Sequence, residues 1–296
     1  MNIIVTGINS EISLNLVKIL LANNINVIGL YRNKLSNGIF EIKQNENIKL
    51  YNFDLSKYEN LNILPKNIDV IVHVAAVSNY FGVSNEIIID SNIIATNNLL
   101  KFAKINNVPR IIFTSSISIH GEVLNKIVNN KTPIFKPNFY GASKYISEIS
   151  IESFSDSISA ICLRLPGVLG VNNPNILIPK ICNQLLKNED ITLYNSNNFF
   201  NNGIHVKDLA SFIYTLIANT CWKGFNSFPI SSSNPLKLID LIQELKIKLN
   251  SNSKIISISN KKKSFIIDSN YASKLFLYKP RPILESCKMH CDFLLS

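Results

Sequence analysis

Along the first two-thirds of the chain, short blocks of nearly uninterrupted apolar residues alternate with longer stretches whose apolar positions recur at helical spacing. The blocks are "NIIVTG" from Asn2 to Gly7, "NVIGLYR" ending near Arg32, "IKLYNFD" near Asp54, "DVIVHVAA" near Ala76, "RIIFTSS" near Ser116 and "ISAICLRLPG" at Gly167. Runs this apolar predict strands buried on both faces, and the periodic stretches predict the helices that cross over between them. "ISLNLVKILLANN" is the first such helix and "SNEIIIDSNIIATNNLLKFAKINN" the longest. The order βαβαβ predicts an α/β fold built on a doubly wound parallel sheet.

After Gly167 the alternation loosens. "PNILIPKICNQLLKN", "KDLASFIYTLIANT" and "PLKLIDLIQELKIKLN" predict helices, the last started by Pro235, with short strands at "DITLYN" and "KIISIS". No repeat and no long linker interrupts the chain. The expected organisation is a larger domain over residues 1–167 and a smaller α+β lobe over 168–296, with some elements shared.

Composition narrows the partners. With 46% hydrophobic and 17% charged residues in 296, the chain can bury one large core or two modest ones. A net charge of +10 and a pI near 9.3 favour anionic partners such as nucleotide-bearing small molecules. The basic residues are scattered, and the one tight run, Lys261-Lys262-Lys263, reads as a solvated turn, so no nucleic acid is expected. Five cysteines with no CxxC pair read as reduced core thiols. Cys287, His290 and Cys291 share a predicted helix, but with no second cluster elsewhere they are expected to pack rather than hold a metal. No charged leader precedes the first strand, and no apolar run approaches the ~20 residues of a membrane span. A cytoplasmic protein without membrane insertion is expected.

The stretch "KPNFYGASKYISE" places Tyr140 and Lys144 four residues apart at the start of a helix. At that spacing phenol and ammonium face the same side. The cation stabilises phenolate and moves the tyrosine from its ordinary ~10 toward the operating pH, as a general acid requires. The bland alternative is an incidental pair on an exposed first turn. The turn "TGINSEIS" (Thr6 to Ser13) joins the first strand to the first helix, the place where helix N-terminal amides hold a dinucleotide pyrophosphate.

Taken in order, these motifs resemble the short-chain dehydrogenase/reductase superfamily in its extended, nucleotide-sugar-modifying branch, the epimerase/dehydratase type. The turn is similar to TGxxGxxG, with Gly7 kept and Ser10 and Ser13 replacing the second and third glycines. "NFDLS", "HVAAVS" (His73 to Ser78), "NIIATNNLL", "FTSSISIHGE", "PNFYGASK", "CLRLPGVLG" and "IHVKDLASFI" resemble the motifs that follow, strongest from Asp69 to Lys144. The resemblance implies a Rossmann-type fold and a nicotinamide dinucleotide held by Gly7, Asn9, Ser10, Glu11, Ile12, Arg32, Asp54, Leu55, Ala75, Ala76, Tyr140, Lys144, Pro166 and Val168. It implies Ser116, Tyr140 and Lys144 as the catalytic set. Ser78, Ser116, Ile117, Ser118 and Asn201 would face substrate.

Departures from the family pattern refine this. Dehydratases of the type carry Asp-Glu after the active-site hydroxyl residue; Ile117 and Ser118 stand there and cannot shuttle protons in that way. NAD-preferring members end the second strand with an acid, whereas Tyr31-Arg32-Asn33 stand here, so NADP is favoured and NAD possible. "SSISIHGE" resembles the SSIxxxGE of 4-ketoreductases in surface-polysaccharide pathways. Asn201 replaces an arginine that contacts the diphosphate in many members, leaving Lys180 or Lys207 as the substitute cation. The expected activity is therefore NAD(P)-dependent oxidoreduction at C4 of a nucleotide-linked sugar, by a 4-ketoreductase or else a 4-epimerase, with room for a homodimer. A non-catalytic NADP(H) sensor or scaffold would suit the altered glycines but has no need of Ser116, Tyr140 and Lys144 together.

Overall fold

The computed structural model describes residues 1–78, 82–171, 173–259 and 264–295, so the lysine run at 261–263 lies outside them. Among these residues the chain divides into two compact units. The first comprises Met1–Gly121, Lys136–Arg164 and Ala210–Ser227; the second comprises Glu122–Phe135, Leu165–Leu209 and Phe228–Ser296. The stretch from Ala210 leads into the last strand of the large sheet, whereas Ile127 and Val128 pair with Ile266 and Ile267 of the second unit.

The large sheet, most of whose residues belong to the first unit, is built of strands β1 (Asn2–Thr6), β2 (Asn26–Tyr31), β3 (Ile48–Asn52), β4 (Val70–His73), β5 (Arg110–Ser116), β6 (Ser159–Leu165) and β7 (Phe225–Pro229). The helices of that unit include α1 (Glu11–Ala22), α2 (Asn37–Ile42), α3 (Asn85–Ile88), α4 (Ala95–Ile105) and α5 (Phe139–Glu152). The seven strands make one sheet in the order β7-β6-β5-β4-β1-β2-β3. Pairing is parallel from β5 through to β3. One apolar cluster includes Ile4, Ile28 and Ile71 from the strands with Leu99, Leu100 and Phe102 from α4. Strand order reverses between β1 and β4, so the chain leaves these neighbours in opposite directions and opens a crevice at their carboxyl ends.

The long helix predicted after Ser84 is not regular. Between α3 and α4, residues Ile89–Ile94 form a π-helical turn, which adds a residue to the turn and re-aims its side chains. Asn92, 2% exposed, uses this to bond three partners. Its Oδ1 accepts from Val77 N at 2.8 Å, and its Nδ2 donates to Val77 O and to Ser143 Oγ, each at 2.9 Å. The π turn thus binds both the loop after β4 and helix α5.

The second unit has its own core, in which helices Leu177–Leu186, Leu238–Lys248 and Ile283–Leu295 contribute Leu185, Leu241, Leu245 and Cys287. Parallel pairs join Gly167–Leu169 to Gly203–His205 and Ile191–Tyr194 to Ile255–Ile258. Cys182, Cys287 and Cys291 are unpaired and buried, with 3.9 Å between the sulfurs of Cys182 and Cys291. His290 Nδ1 accepts from Gly170 N at 3.0 Å. Among the described residues no group of acidic, Cys and His side chains is placed to hold a metal, and no helix is long and apolar enough to cross a membrane.

Asn92→Ala would strand the Val77 backbone groups and Ser143 in a buried place, so it should cost about 1–3 kcal/mol. Asn97→Ala, on the exposed side of α4, should change stability by no more than about 0.5 kcal/mol. Urea denaturation of both variants compares them, and equal losses would contradict the role given to Asn92.

Candidate active site

The turn after β1 decides whether a phosphate group can approach. Gly7 has φ +63°, and a Cβ built on it would lie 2.8 Å from the Ala75 backbone. Only glycine satisfies both constraints. Ser10 is different: its φ of −77° and ψ of 149° are open to any residue, and its side chain caps α1 by accepting from Ser13 N. Ser10 Oγ also donates to Ser13 Oγ at 3.0 Å, and Ser13, fully buried, faces Thr6 O at 3.4 Å. The two serines therefore replace glycines where no glycine conformation is needed. Asn9 braces the turn from outside, donating to Lys34 O and accepting from Ser36 N. Glu11 and Ile12 form the first turn of α1.

The crevice between β1 and β4 is a cleft of about 350 Å³ lined by Gly7, Asn9, Ser10, Arg32, Asp54, Leu55, Ala75 and Ala76, among others. It gathers most of the residues predicted to hold the cofactor. A dinucleotide fits this lining, because Gly7 leaves its backbone bare beside Ala75 and the N-terminus of α1, capped by Ser10, follows at the same turn. Asp54 keeps an anionic carboxylate: burial opposes ionisation, but hydrogen bonds from Ser56 and the nearby Arg32 outweigh it and lower the pKa. Arg32 lies 3.8 Å from that carboxylate and donates to Ser91 Oγ at 3.1 Å. Its guanidinium is thus already engaged by an anion, which weakens the sequence argument that it awaits a 2′-phosphate.

The acid–base residues collect where β5 ends. Ser116 Oγ accepts from Ser118 N at 3.1 Å and caps the short 3₁₀ turn Ile117–His120. Its own O–H proton stays available to another acceptor. Helix α5 begins with Asn138 capping Gly141 N at 2.8 Å, and a Cβ at Gly141 would run into the Ser118 carbonyl. Glycine lets the first turn of α5, with Tyr140, approach the segment after Ser116. Tyr140 is half-buried. Lys144 is 1% exposed, and its Nζ stands 4.0 Å from the centroid of the Phe113 ring. Burial pushes the Lys144 ammonium down to about 7.

A buried line of hydrogen bonds, which the sequence reading missed, joins these parts. Thr6 Oγ1 accepts from Val74 N at 3.1 Å and Ala75 N at 3.0 Å and meets His73 Nδ1 at 2.7 Å. His73 Nε2 meets Thr96 Oγ1 at 2.9 Å, and Thr96 donates to Asn92 O at 2.5 Å. With Thr6 already accepting twice and Thr96 donating onward, the imidazole must accept at Nδ1 and donate at Nε2, the neutral form. Burial, with the Lys144 charge adding to it, holds His73 down to about 3. The available signal was a histidine at the end of an otherwise apolar strand.

Other predicted residues are not among those lining the cleft. Ser78 is half-buried just past the cleft loop. Pro166, Val168 and Asn201 belong to the second unit, as do Lys180 and Lys207. Asn201, 2% exposed, donates to Ser232 O and Ile267 O and accepts from Ile267 N. These bonds occupy its amide in bracing its own unit.

Known proteins agree with this architecture. The sequence profile of the NAD dependent epimerase/dehydratase family matches residues 3–224. An uncharacterised protein of Methanocaldococcus jannaschii is 27% identical over all of this chain and 96% of its own length. Protein CapI of Staphylococcus aureus is 25% identical over 84% of this chain and 80% of its own. The fold is that of the UDP-glucuronic acid 4-epimerase of Bacillus cereus, solved with NAD, at 20% identity and TM-score 0.85 over 100% of this chain and 99% of that one.

Gly7→Ala should abolish dinucleotide binding in calorimetric titration, while Ser10→Gly should leave it within a few-fold. Binding retained by Gly7→Ala would contradict the close approach described above. A second expectation concerns acid. Folded His73 refuses a proton that the unfolded imidazole takes up below 6.5, so its contribution is complete above 6.5 and lost as pH falls toward about 3. The slope should reach about 1.4 kcal/mol per pH unit for this residue, and buried His290, held down to about 4, adds to it. His73→Gln should flatten the slope in urea titrations across that interval; an unchanged slope would contradict a neutral His73.

Proposed function

The chain belongs to the NAD dependent epimerase/dehydratase family, and from that premise we propose that it oxidises and reduces C4 of a nucleotide-linked sugar. The supporting observation is the sealed Lys144 one turn beyond Tyr140 on α5, with Ser116 on the segment that Gly141 lets the helix approach. When bound, the nicotinamide supplies or takes up hydride. Tyr140 passes its proton to the C4 oxygen on reduction and takes it back on oxidation. Ser116 donates its free O–H to the same oxygen. Lys144 stabilises the phenolate and holds the nicotinamide ribose, and Gly7, Asp54, Ala75 and Ala76 hold the adenosine and pyrophosphate side. Ile117 and Ser118 offer no acid–base pair for dehydration.

Two directions share these residues. Arg32, engaged by Asp54 and Ser91, is a poor receiver for a 2′-phosphate, which favours NAD and a 4-epimerase. The likeness to a 4-epimerase solved with NAD supports that choice. The second reading is an NADP-dependent 4-ketoreductase in surface-polysaccharide assembly, favoured by the basic Arg32 and by "SSISIHGE". The unpaired cysteines fit a reducing compartment such as the cytoplasm. Exposed Ile94, Ile146 and Ile149 leave apolar surface that a second copy would cover in a homodimer.

Tyr140→Phe should keep cofactor affinity and lose turnover by about 10²–10⁴; near-normal turnover on an established substrate would remove Tyr140 from its role. Arg32→Asp separates the two directions: a larger loss of NADP than of NAD affinity supports the ketoreductase, and equal losses support the epimerase.

A further inference from the structure

Helix α5 carries a third ionisable residue on the stripe that begins with Tyr140 and Lys144. Glu148 follows Lys144 by four residues, so it faces the same side one turn on. It is 2% exposed, and Arg164 of β6, its partner, is 7% exposed. Arg164 Nε reaches Glu148 Oε1 and Oε2 at 3.2 and 3.3 Å, and its terminal nitrogen reaches Oε2 at 2.8 Å and Ser227 Oγ at 3.1 Å. Neither residue has a part in the proton and hydride steps above. A buried pair of this kind adds little net stability over apolar residues of equal volume, so stability alone is a weak reason for its presence.

We propose that Glu148, oriented by Arg164, is a positioning residue that keeps Lys144 protonated and turned inward over Phe113. The proposal rests on the reading of Lys144 as a working cation of the site.

The groups around Lys144 make Glu148 the residue for this task. Phe113 of β5 offers only a ring face. His73 of β4 is neutral, Tyr140 precedes Lys144 on α5, and Cys162 of β6 is fully buried. Burial pushes the Cys162 thiol well above its ordinary range, so it carries no charge near neutrality. Glu148 is then the anion that opposes the burial of the ammonium. Arg164 fixes the carboxylate by a two-pronged contact and prevents it from folding onto Lys144 as a closed ion pair. The lysine keeps its charge for the phenolate and the ribose.

The test reads Lys144 directly. In protein labelled with ¹³C at lysine Cε, the Lys144 signal, assigned by its loss in Lys144→Met, is titrated in the cofactor-free state. In the wild type its midpoint should lie far below that of an exposed lysine. Glu148→Gln should lower it further, by about one unit. Since Glu148→Gln leaves Arg164 without its partner and could misfold, Glu148→Gln/Arg164→Met supplies a neutral pair of similar volume and should show a lowering in the same direction but smaller, because the Arg164 cation is removed together with the carboxylate. The alkaline limb of NAD binding should move with it. An unmoved Lys144 midpoint in the folded double variant overturns the proposal, even if the enzyme works. A lowered midpoint in a protein that binds no cofactor upholds the proposal and removes the reading it was attached to.

Discussion

A line of hydrogen bonds through fully buried side chains, from Thr6 through His73 and Thr96 to Asn92, ties the two central strands to the helices that carry the chemistry. Each group in it has one available role. Thr6 accepts from the loop after β4, His73 must then be neutral, and Asn92 is held where the π turn aims it. An unsatisfied member would cost on the order of 1–3 kcal/mol, so the line resists displacement. Its consequence is geometric. The Ala75 backbone is fixed at the distance from Gly7 that only a glycine tolerates, and α5 is fixed against the π turn through Ser143 and Ser147.

The second constraint is the burial of charge. An ammonium taken from water loses several kcal/mol of solvation unless something compensates. At Lys144 the compensation comes from the Phe113 ring face and from Glu148, not from a direct salt bridge. That arrangement leaves the lysine deprotonatable near neutrality and yet charged enough to influence a neighbouring phenol. A lysine locked in a tight ion pair would hold its proton more firmly and lend less of its field to Tyr140.

Much of this was legible in the sequence because strands buried on both faces have no polar positions to obscure them. The block ending at Gly7, the block ending at Ala76 and the YxxxK spacing were found by pattern alone. What escaped was the set of contacts between segments distant in sequence. Asn92 opened the family-like stretch "NIIATNNLL", but its bonds to Val77 and Ser143 escaped, since a π turn has no sequence signature. Glu148 stood at the end of the quoted stretch, but its meaning required Arg164, sixteen residues on and in another element. Ser10 and Ser13 counted as degraded glycines until the extended backbone of Ser10 and the helical place of Ser13 showed that no glycine conformation was needed there. Arg32 suggested a phosphate partner because its contact with Asp54 joins the ends of two strands.

The most direct test of the central claim follows a label. The cofactor-loaded protein is incubated with candidate nucleotide sugars carrying deuterium at C4, and the cofactor is then released and weighed by mass spectrometry. Transfer of the deuterium to the nicotinamide ring is the predicted result for the substrate that turns over. Deuterium back at C4 of the epimerised sugar is the return of that same hydride, whereas turnover with the label lost to water, or with none ever found on trapped reduced cofactor, would contradict hydride chemistry at C4 and the roles given to Ser116, Tyr140 and Lys144.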